Sequence, residues 1–341
     1  MNTSRYHTTY IVAELSANHN HDLEIAKKTI CAAGQAGADA IKLQTYTADT
    51  LTIDSEKDYF KIEGGLWDGR SLYELYQEAH TPWDWHGELF KYAQSLGLEI
   101  FSTPFDTSSV DFLEKIEVPI YKIASFEIQD IPLIEYVASK GKPVVMSTGI
   151  ATLEDIELAL STCRSIGNDQ ITLLKCTSAY PAPLGEVNLL TIPDMRERFG
   201  VEVGLSDHTM GASSAIAAVA LGAKMIEKHF ILDRKQGGPD SSFSIEPVEF
   251  KRMVQSIREV EQALGAITYE LSEKVKQNKI FARSLFIVKN VKAGDIISKE
   301  NVRSIRPGYG LHPKYYTTIM GKRFIKDVEM GTPLDWIMIE N

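Results

Sequence analysis

Residues 201–232, VEVGLSDHTMGASSAIAAVALGAKMIEKHFIL, hold two short apolar runs (201–207 and 225–232) on either side of an Ala-rich stretch with helical spacing (212–223). Runs of this length that end in polar residues read as buried strands, and the segment between them reads as a helix. A single helix joining two such strands predicts a parallel β/α/β unit. The same pattern recurs upstream at YIVAEL (10–15), AIKLQT (40–45), EIFSTP (99–104), IYKIAS (120–125), PVVMSTG (143–149) and ITLLKCT (171–177). Amphipathic stretches lie at 22–37 and 152–167, and EPVEFKRMVQSIREVEQALG (246–265) stands where a last helix would close the ring. Eight β/α units in roughly 250 residues predict an α/β fold, a (β/α)8 TIM barrel. An open doubly wound sheet is the rival, but ELSANHNHD follows the first strand where that fold would carry a Gly-rich dinucleotide fingerprint.

Two segments break the rhythm. Residues 46–86 form a long aromatic excursion after the second strand, including GGLWDGRSLYELYQEAHTPWDWH. A long ordered insertion at that point decorates the catalytic face of a barrel. Residues 266–284 read as a linker after a barrel domain spanning 1–265. Residues 285–341 change style, with short strands expected at LFIVKN and RFIKDV and turns at KAGD and EMGTP. A β-rich domain of that size is marginal alone, so docking on a barrel is expected.

With 44% hydrophobic and 24% charged residues, the 341-residue chain has the composition of an ordinary globular protein. A net charge of −10 argues against nucleic-acid and anionic-membrane surfaces, which need a dense basic face. It leaves room for an anionic small substrate in a locally basic pocket. Cys31, Cys163 and Cys176 are odd in number, far apart and without ligand spacing, which suits a reducing compartment. The N-terminus MNTSRYHTTYIVAE lacks the pattern of a leader, and no run is long enough to span a bilayer. A cytoplasmic location is expected.

Side chains at the C-terminal ends of barrel strands surround the catalytic mouth. The strand ends carry Glu14, Lys42, Gln44, Ser102, Thr103, Lys122, Ser125, Ser147, Thr148, Thr177, Ser178, Ser206, Asp207, His208, Glu227 and His229. Each has a bland reading alone: a strand lysine is usually solvated at an edge, and a lone strand histidine is more often a satisfied core group than a ligand. Lys122 resists that reading because both its flanks are apolar. His208 and His229 end adjacent strands with Asp207 and Glu227 beside them, which suits an open divalent site of the Mn2+ or Mg2+ type. Lys42, Lys122, Thr103, Ser125 and Ser206 supply the cations and hydroxyls that grip a phosphate.

AELSANHNHD, KLQTY, FSTPFD, YKIASFE, STGIATLEDI, LLKCTSAYPAP, GLSDHT, EKHFILDR and GGPDSSFS, in that order and followed by RPGYG, resemble the sialic-acid synthase family over essentially the whole chain. The resemblance implies condensation of phosphoenolpyruvate with an acylated amino-sugar aldehyde, releasing phosphate and giving a nine-carbon 2-keto acid. The tail resembles the antifreeze-like (SAF) domain of these synthases. The stretch GGLWDGRSLYELYQEAHTPWDWH is most similar to the pseudaminic acid branch, which implies an acetamido-trideoxyhexose acceptor, 2,4-diacetamido-2,4,6-trideoxy-L-altrose. N-acetylneuraminate or legionaminate synthesis is the alternative within the family. A non-catalytic sugar-binding barrel and an aldolase that dispenses with phosphoenolpyruvate are the alternatives outside it.

Carried over by position, the resemblance implies that His208 and His229 are metal ligands. It implies that Lys42, Thr103, Lys122, Ser125 and Ser206 contact phosphoenolpyruvate, with Tyr180 at the substrate mouth. Glu14, Gln44, Glu127, Glu227 and Asp240 match polar positions around the sugar and the reacting carbons. Arg306 matches an arginine that the small domain delivers to the acceptor across a domain-swapped homodimer. Ser178 stands where these synthases commonly have Asn, and Lys175 where His or another polar residue is frequent, so the part Ser178 plays is open. Glu14 and Glu227 both remain candidates for the acid/base group, and a Schiff base on Lys42 or Lys122 is the rival to metal assistance.

Overall fold

The computed structural model describes residues 8–340. Residues 1–7, part of the stretch read above for a leader, lie outside that range. The chain divides into two compact units, one ending at Gly265 and the other beginning at Ala266.

The first unit is a closed barrel of parallel strands in sequence order: β1 (Tyr10–Glu14), β2 (Ala40–Thr45), β3 (Glu99–Pro104), β4 (Tyr121–Ile123), β5 (Val144–Ser147), β6 (Ile171–Cys176), β7 (Glu202–Asp207) and β8 (Met225–His229). Closure rests on β1 pairing with β8, which places Glu14 opposite His229. The strands are buried almost throughout, as expected when helices cover their outer faces. Helices return the chain between strands and start where capping residues take up their orphan N–H groups. Asp22 accepts from Glu24 and Ile25 ahead of Leu23–Gln35, and Thr152 forms a capping box with Asp155 ahead of Leu153–Ser165. The helix Pro247–Leu264 closes the ring and buries Phe250, Met253, Val254 and Ile257.

The excursion after β2 is shorter than its composition suggests. It contains helices at Ala48–Leu51 and Leu72–Ala79, but Trp83–Ser95 is the regular helix leading into β3. Trp83, Trp85 and His86 therefore belong to the barrel wall. Pro82 holds the N-cap position, where a residue without an N–H loses nothing.

Strand alternation corrects two of the strand-end residues. Ser102 was expected at the mouth, but its hydroxyl bonds Thr45 Oγ1 (2.6 Å), which in turn meets His86 Nε2 (2.8 Å) on the helix layer. Asp207 was expected beside the histidines, yet it receives the Lys228 ammonium at 2.7 Å. Both pairs lie one residue out of phase with the mouth, and a one-residue step in a strand moves a side chain to the opposite face.

The second unit has its own core, including Leu285, Ile287, Val302, Ile319, Phe324 and Leu334. Its one two-stranded antiparallel sheet, among the described residues, pairs β9 (Ser284–Ile287) with β10 (Val302–Ile305). RFIKDV forms no ladder and makes only isolated bridges, at Arg323, Phe324 and Val328. Residues 266–284 include a helix at Glu273–Gln277, and β9 begins at Ser284. Among the described residues no helix is long and apolar enough to cross a membrane.

Candidate active site

Four charged side chains meet at the C-terminal ends of β1, β2, β4 and β8. Lys42 Nζ lies 2.6 Å from Glu14 Oε2 and 3.9 Å from Glu227 Oε1, and Lys122 Nζ lies 3.7 Å from that same Glu227 oxygen. Gln44 Nε2 donates to Glu14 Oε1 at 3.0 Å, Ser206 Oγ donates to Glu227 Oε1 at 2.9 Å, and Lys42 Nζ donates to Thr103 Oγ1 at 3.4 Å. Lys42 and Lys122 are only 4% and 1% exposed. Burying two ammonium groups this deeply is costly and is tolerated where partners, or a ligand, compensate.

The two carboxyls are driven apart. Burial pushes Glu14 up to about 7, with Lys42 opposing the rise and Glu227 adding to it. Burial also acts to raise Glu227, but Lys122, Lys42 and the Ser206 hydrogen bond outweigh it and hold Glu227 below the usual carboxylate range. Burial outweighs the pull of Glu227 and lowers Lys122, whereas Glu14 and Glu227 more than offset burial and raise Lys42. Near neutral pH a charged Lys42 and a more readily discharged Lys122 therefore face one firmly ionised carboxylate. That leaves positive charge to receive an anion, and a protonated acid beside an ionised base-type group.

A wall of small groups continues from β4 to β6. Gly149 N–H donates to Ser125 Oγ at 3.1 Å. A Cβ on Gly149 would stand 2.1 Å from Ser178 Oγ and 2.7 Å from Ser125 Oγ, so only glycine admits both hydroxyls. Ser178 Oγ, beside Gly149, is buried without a hydrogen-bond partner, and Ser147 Oγ at the end of β5, Glu127 Oε2 just after β4 and Glu227 Oε2 on β8 are orphaned in the same way. Buried polar atoms are almost always paired, so orphans of this kind mark places where a polar ligand completes the bonding. Burial pushes Glu127 up to about 7, against the pull of Lys122.

The two histidines lie on the other side. Their ring centroids are 5.3 Å apart. His208 Nδ1 is 3.0 Å from Thr177 O, which fixes that ring. His229 Nδ1 is buried without a hydrogen bond, 3.8 Å from Asp240 Oδ2. Burial, then the charges of His208 and Lys42, hold His229 well below the usual imidazole range and so neutral, the form that ligates metals. No cluster of three or more His, Cys, Asp or Glu side chains forms a metal cage among the described residues. The donor set fits an open two-imidazole site with the remaining positions left to water or substrate. Tyr180 covers it, its ring 4.4 Å from His208 and 5.0 Å from Phe243. Asp240 Oδ2 also accepts from Ala17 N–H at 3.3 Å.

Arg306 belongs to the second unit, just past β10, where it is exposed and makes no ion pair or hydrogen bond among the described residues. The barrel thus brings together Glu14, Lys42, Gln44, Thr103, Lys122, Ser125, Glu127, Ser178, Tyr180, Ser206, His208, Glu227, His229 and Asp240.

The sequence model of the NeuB family matches residues 29–269. The chain belongs to that family. Residues 282–340 match the SAF domain, which spans the second unit from just before β9. The NeuB relatives include the pseudaminic acid synthase of Campylobacter jejuni subsp. jejuni serotype O:23/36 (strain 81-176), 49% identical over 95% of each chain. An N,N'-diacetyllegionaminic acid synthase of Legionella pneumophila subsp. pneumophila (strain Philadelphia 1) is 38% identical over 98% of this chain and 95% of its own. Among solved structures, spore coat polysaccharide biosynthesis protein SpsE of Bacillus subtilis superposes with a TM-score of 0.66 at 32% identity, covering 98% of this chain and 96% of that one.

Two mouth residues of this NeuB-family chain escaped sequence reading. Cys176 Sγ lies 3.8 Å from His208 Nδ1. Burial raises its thiol, but His208, Ser125 and Lys122 more than offset that and bring it down to about 7. Its position last in β6, with Ser178 two residues on, was the signal available. Gly149 was hidden because its role is the absence of a side chain.

Proposed function

We propose that this chain catalyses the pseudaminic acid synthase reaction, joining phosphoenolpyruvate, 2,4-diacetamido-2,4,6-trideoxy-L-altrose and water to give pseudaminic acid and phosphate. The observation that carries the reading is the pair of buried lysines at the strand ends with only Glu227 firmly ionised between them. That arrangement suits a small trianionic substrate. Likeness selects the acceptor: identity is 49% to a pseudaminic acid synthase and 38% to a legionaminic acid synthase.

In this reading Lys42 and Lys122 hold the phosphate and carboxylate of phosphoenolpyruvate, with Thr103, Ser125 and Ser178 completing its hydrogen bonds. Holding the enol rigidly over the aldehyde is where positioning contributes most. The enol carbon C3 attacks the aldehyde carbon, and Glu14, carrying a proton, delivers it to the aldehyde oxygen as that becomes a hydroxyl. Glu227 faces the positive charge that develops at C2 and takes a proton from the water that adds there. The bond between C2 and the phosphate ester oxygen then breaks, that oxygen leaves with its electron pair as part of inorganic phosphate, and the C2 hydroxyl gives up its proton to become the keto group. His208 and His229 would hold a divalent ion, Mn2+ or Mg2+, which when bound supplies electrophilic polarisation of the acceptor aldehyde. Tyr180, Gln44, Glu127 and Asp240 line the acceptor, and Arg306 of a second copy of the chain completes the site in a domain-swapped homodimer.

Purified protein offered phosphoenolpyruvate with the altrose-, mannose- and N-acetylmannosamine-type acceptors separately tests this. Phosphate release and a pseudaminic acid product with the first are expected. Release only with one of the others reassigns the acceptor, and release with none rejects the synthase reading.

A further inference from the structure

The insertion between β2 and β3 carries a hairpin that the scheme above does not use. Lys61 bridges Ser71 in antiparallel fashion, Ile62 N–H donates to Arg70 O at 2.8 Å, and Gly69 N–H donates back to Ile62 O at 2.9 Å. Its tip, residues 63–69, is solvent-exposed except for Trp67. The Trp67 indole N–H donates to Pro239 O at 3.2 Å, on the loop after β8 that also presents Asp240. The Trp67 ring lies 6.0 Å from the Tyr180 ring, which itself lies 4.4 Å from His208 and 5.0 Å from Phe243. The rings thus run outward in order from the histidines: His208, Tyr180, Trp67. An exposed loop tip that turns its one large aromatic inward over a polar mouth needs a reason, because that surface gains little from packing on the barrel core.

We infer that Trp67 is a specificity-determining residue whose indole face receives the acceptor's C6 methyl. The inference rests on the proposed reaction and deepens it. With the aldehyde carbon at the histidine pair, the end of the sugar remote from the reaction extends past Tyr180 toward the hairpin. In a 6-deoxy sugar that end is a methyl group, and an aromatic face favours it over a hydroxymethyl, which would leave its hydroxyl unpaired against an apolar wall. In the proposed scheme the phosphoenolpyruvate groups are held by Lys42, Lys122 and Ser125, so Trp67 takes no part in binding them.

The experiment compares kcat/KM for the 6-deoxy acceptor and its 6-hydroxy analogue in wild type, Trp67→Ala and Trp67→Phe, with KM for phosphoenolpyruvate measured in each. Wild type should prefer the 6-deoxy sugar. Trp67→Ala should lose about 10- to 100-fold on the 6-deoxy sugar and little on its analogue, the scale of one methyl group in an apolar pocket. Trp67→Phe, which keeps a ring but not the N–H, should retain most of the preference. A preference unchanged in Trp67→Ala, or one lost equally in Trp67→Phe, overturns the role given to the indole face. So does a parallel rise in phosphoenolpyruvate KM, which would mark Trp67 as a structural prop. A wild-type enzyme that releases no phosphate with the 6-deoxy sugar instead brings down the reaction itself, and the two failures are told apart by that control.

Discussion

Glu14 Oε2 stands 2.6 Å from Lys42 Nζ, yet burial still holds the Glu14 carboxyl near pH 7. The lysine is shared with Glu227 at 3.9 Å, so its charge is divided between two acids. Glu14 therefore carries its proton below about pH 7 and loses it above. If it donates to the nascent hydroxyl, kcat should fall as pH rises through 7, and Glu14→Gln should abolish that limb while lowering kcat by about 100- to 10,000-fold. A variant that keeps the wild-type pH profile removes Glu14 from proton transfer.

Lys122 makes no close ion pair: Glu227 is 3.7 Å away, and its nearest hydrogen bond is to Ile123 O at 3.1 Å. Replacing it by Met removes a buried amine that desolvation already disfavours in its charged form, without leaving Glu227 alone, since Lys42 and Ser206 remain. Lys122→Met should fold with a melting temperature no lower than wild type, and calorimetry should show phosphoenolpyruvate affinity reduced at least 100-fold, as a charge-assisted contact of roughly 3 kcal/mol would imply.

Lys228 is the opposite case. It sits 2.7 Å from Asp207 and donates to Thr209 O, away from the mouth. Lys228→Met leaves the Asp207 carboxylate buried without its cation and should cost about 3–5 kcal/mol of stability. The folded fraction should keep wild-type KM values. Denaturant titration and kinetics together check both halves.

Chelation should abolish turnover, with Mn2+ or Mg2+ restoring it, and His229→Ala should not be rescued by either. Because the mutated imidazole is held neutral and makes no hydrogen bond of its own, the variant should keep its melting temperature within a few degrees. Turnover indifferent to chelators would remove the metal from the scheme.

Arg306 is exposed in the second unit, so Arg306→Ala should leave both units folded. Acceptor KM should rise about 10-fold or more while phosphoenolpyruvate KM stays put, in line with loss of a charge-assisted hydrogen bond. Mixing Arg306→Ala with His229→Ala chains should restore part of the activity if the arginine acts across a dimer. No restoration would place Arg306 outside a shared site.

Much of this was legible in the chain alone. The eight apolar runs, their helical spacers and the polar residue ending each run determine a barrel with its chemistry at one rim, because burial patterns are local and strands cannot hide polar ends inside a packed core. Which strand-end residues share the rim was not legible, since that depends on pleat phase. Thr45 and Ser102 turn to the helix layer, and Lys228 neutralises Asp207, while Lys42, Lys122 and Glu227 turn inward. Closure of β1 on β8 brought Glu14 beside His229, residues more than two hundred positions apart. The splitting of Glu14 from Glu227, the orphaned Ser178 hydroxyl beside Gly149 and the inward turn of Trp67 were decided only by the tertiary structure, because desolvation, charge sharing and clearance are properties of what surrounds a residue.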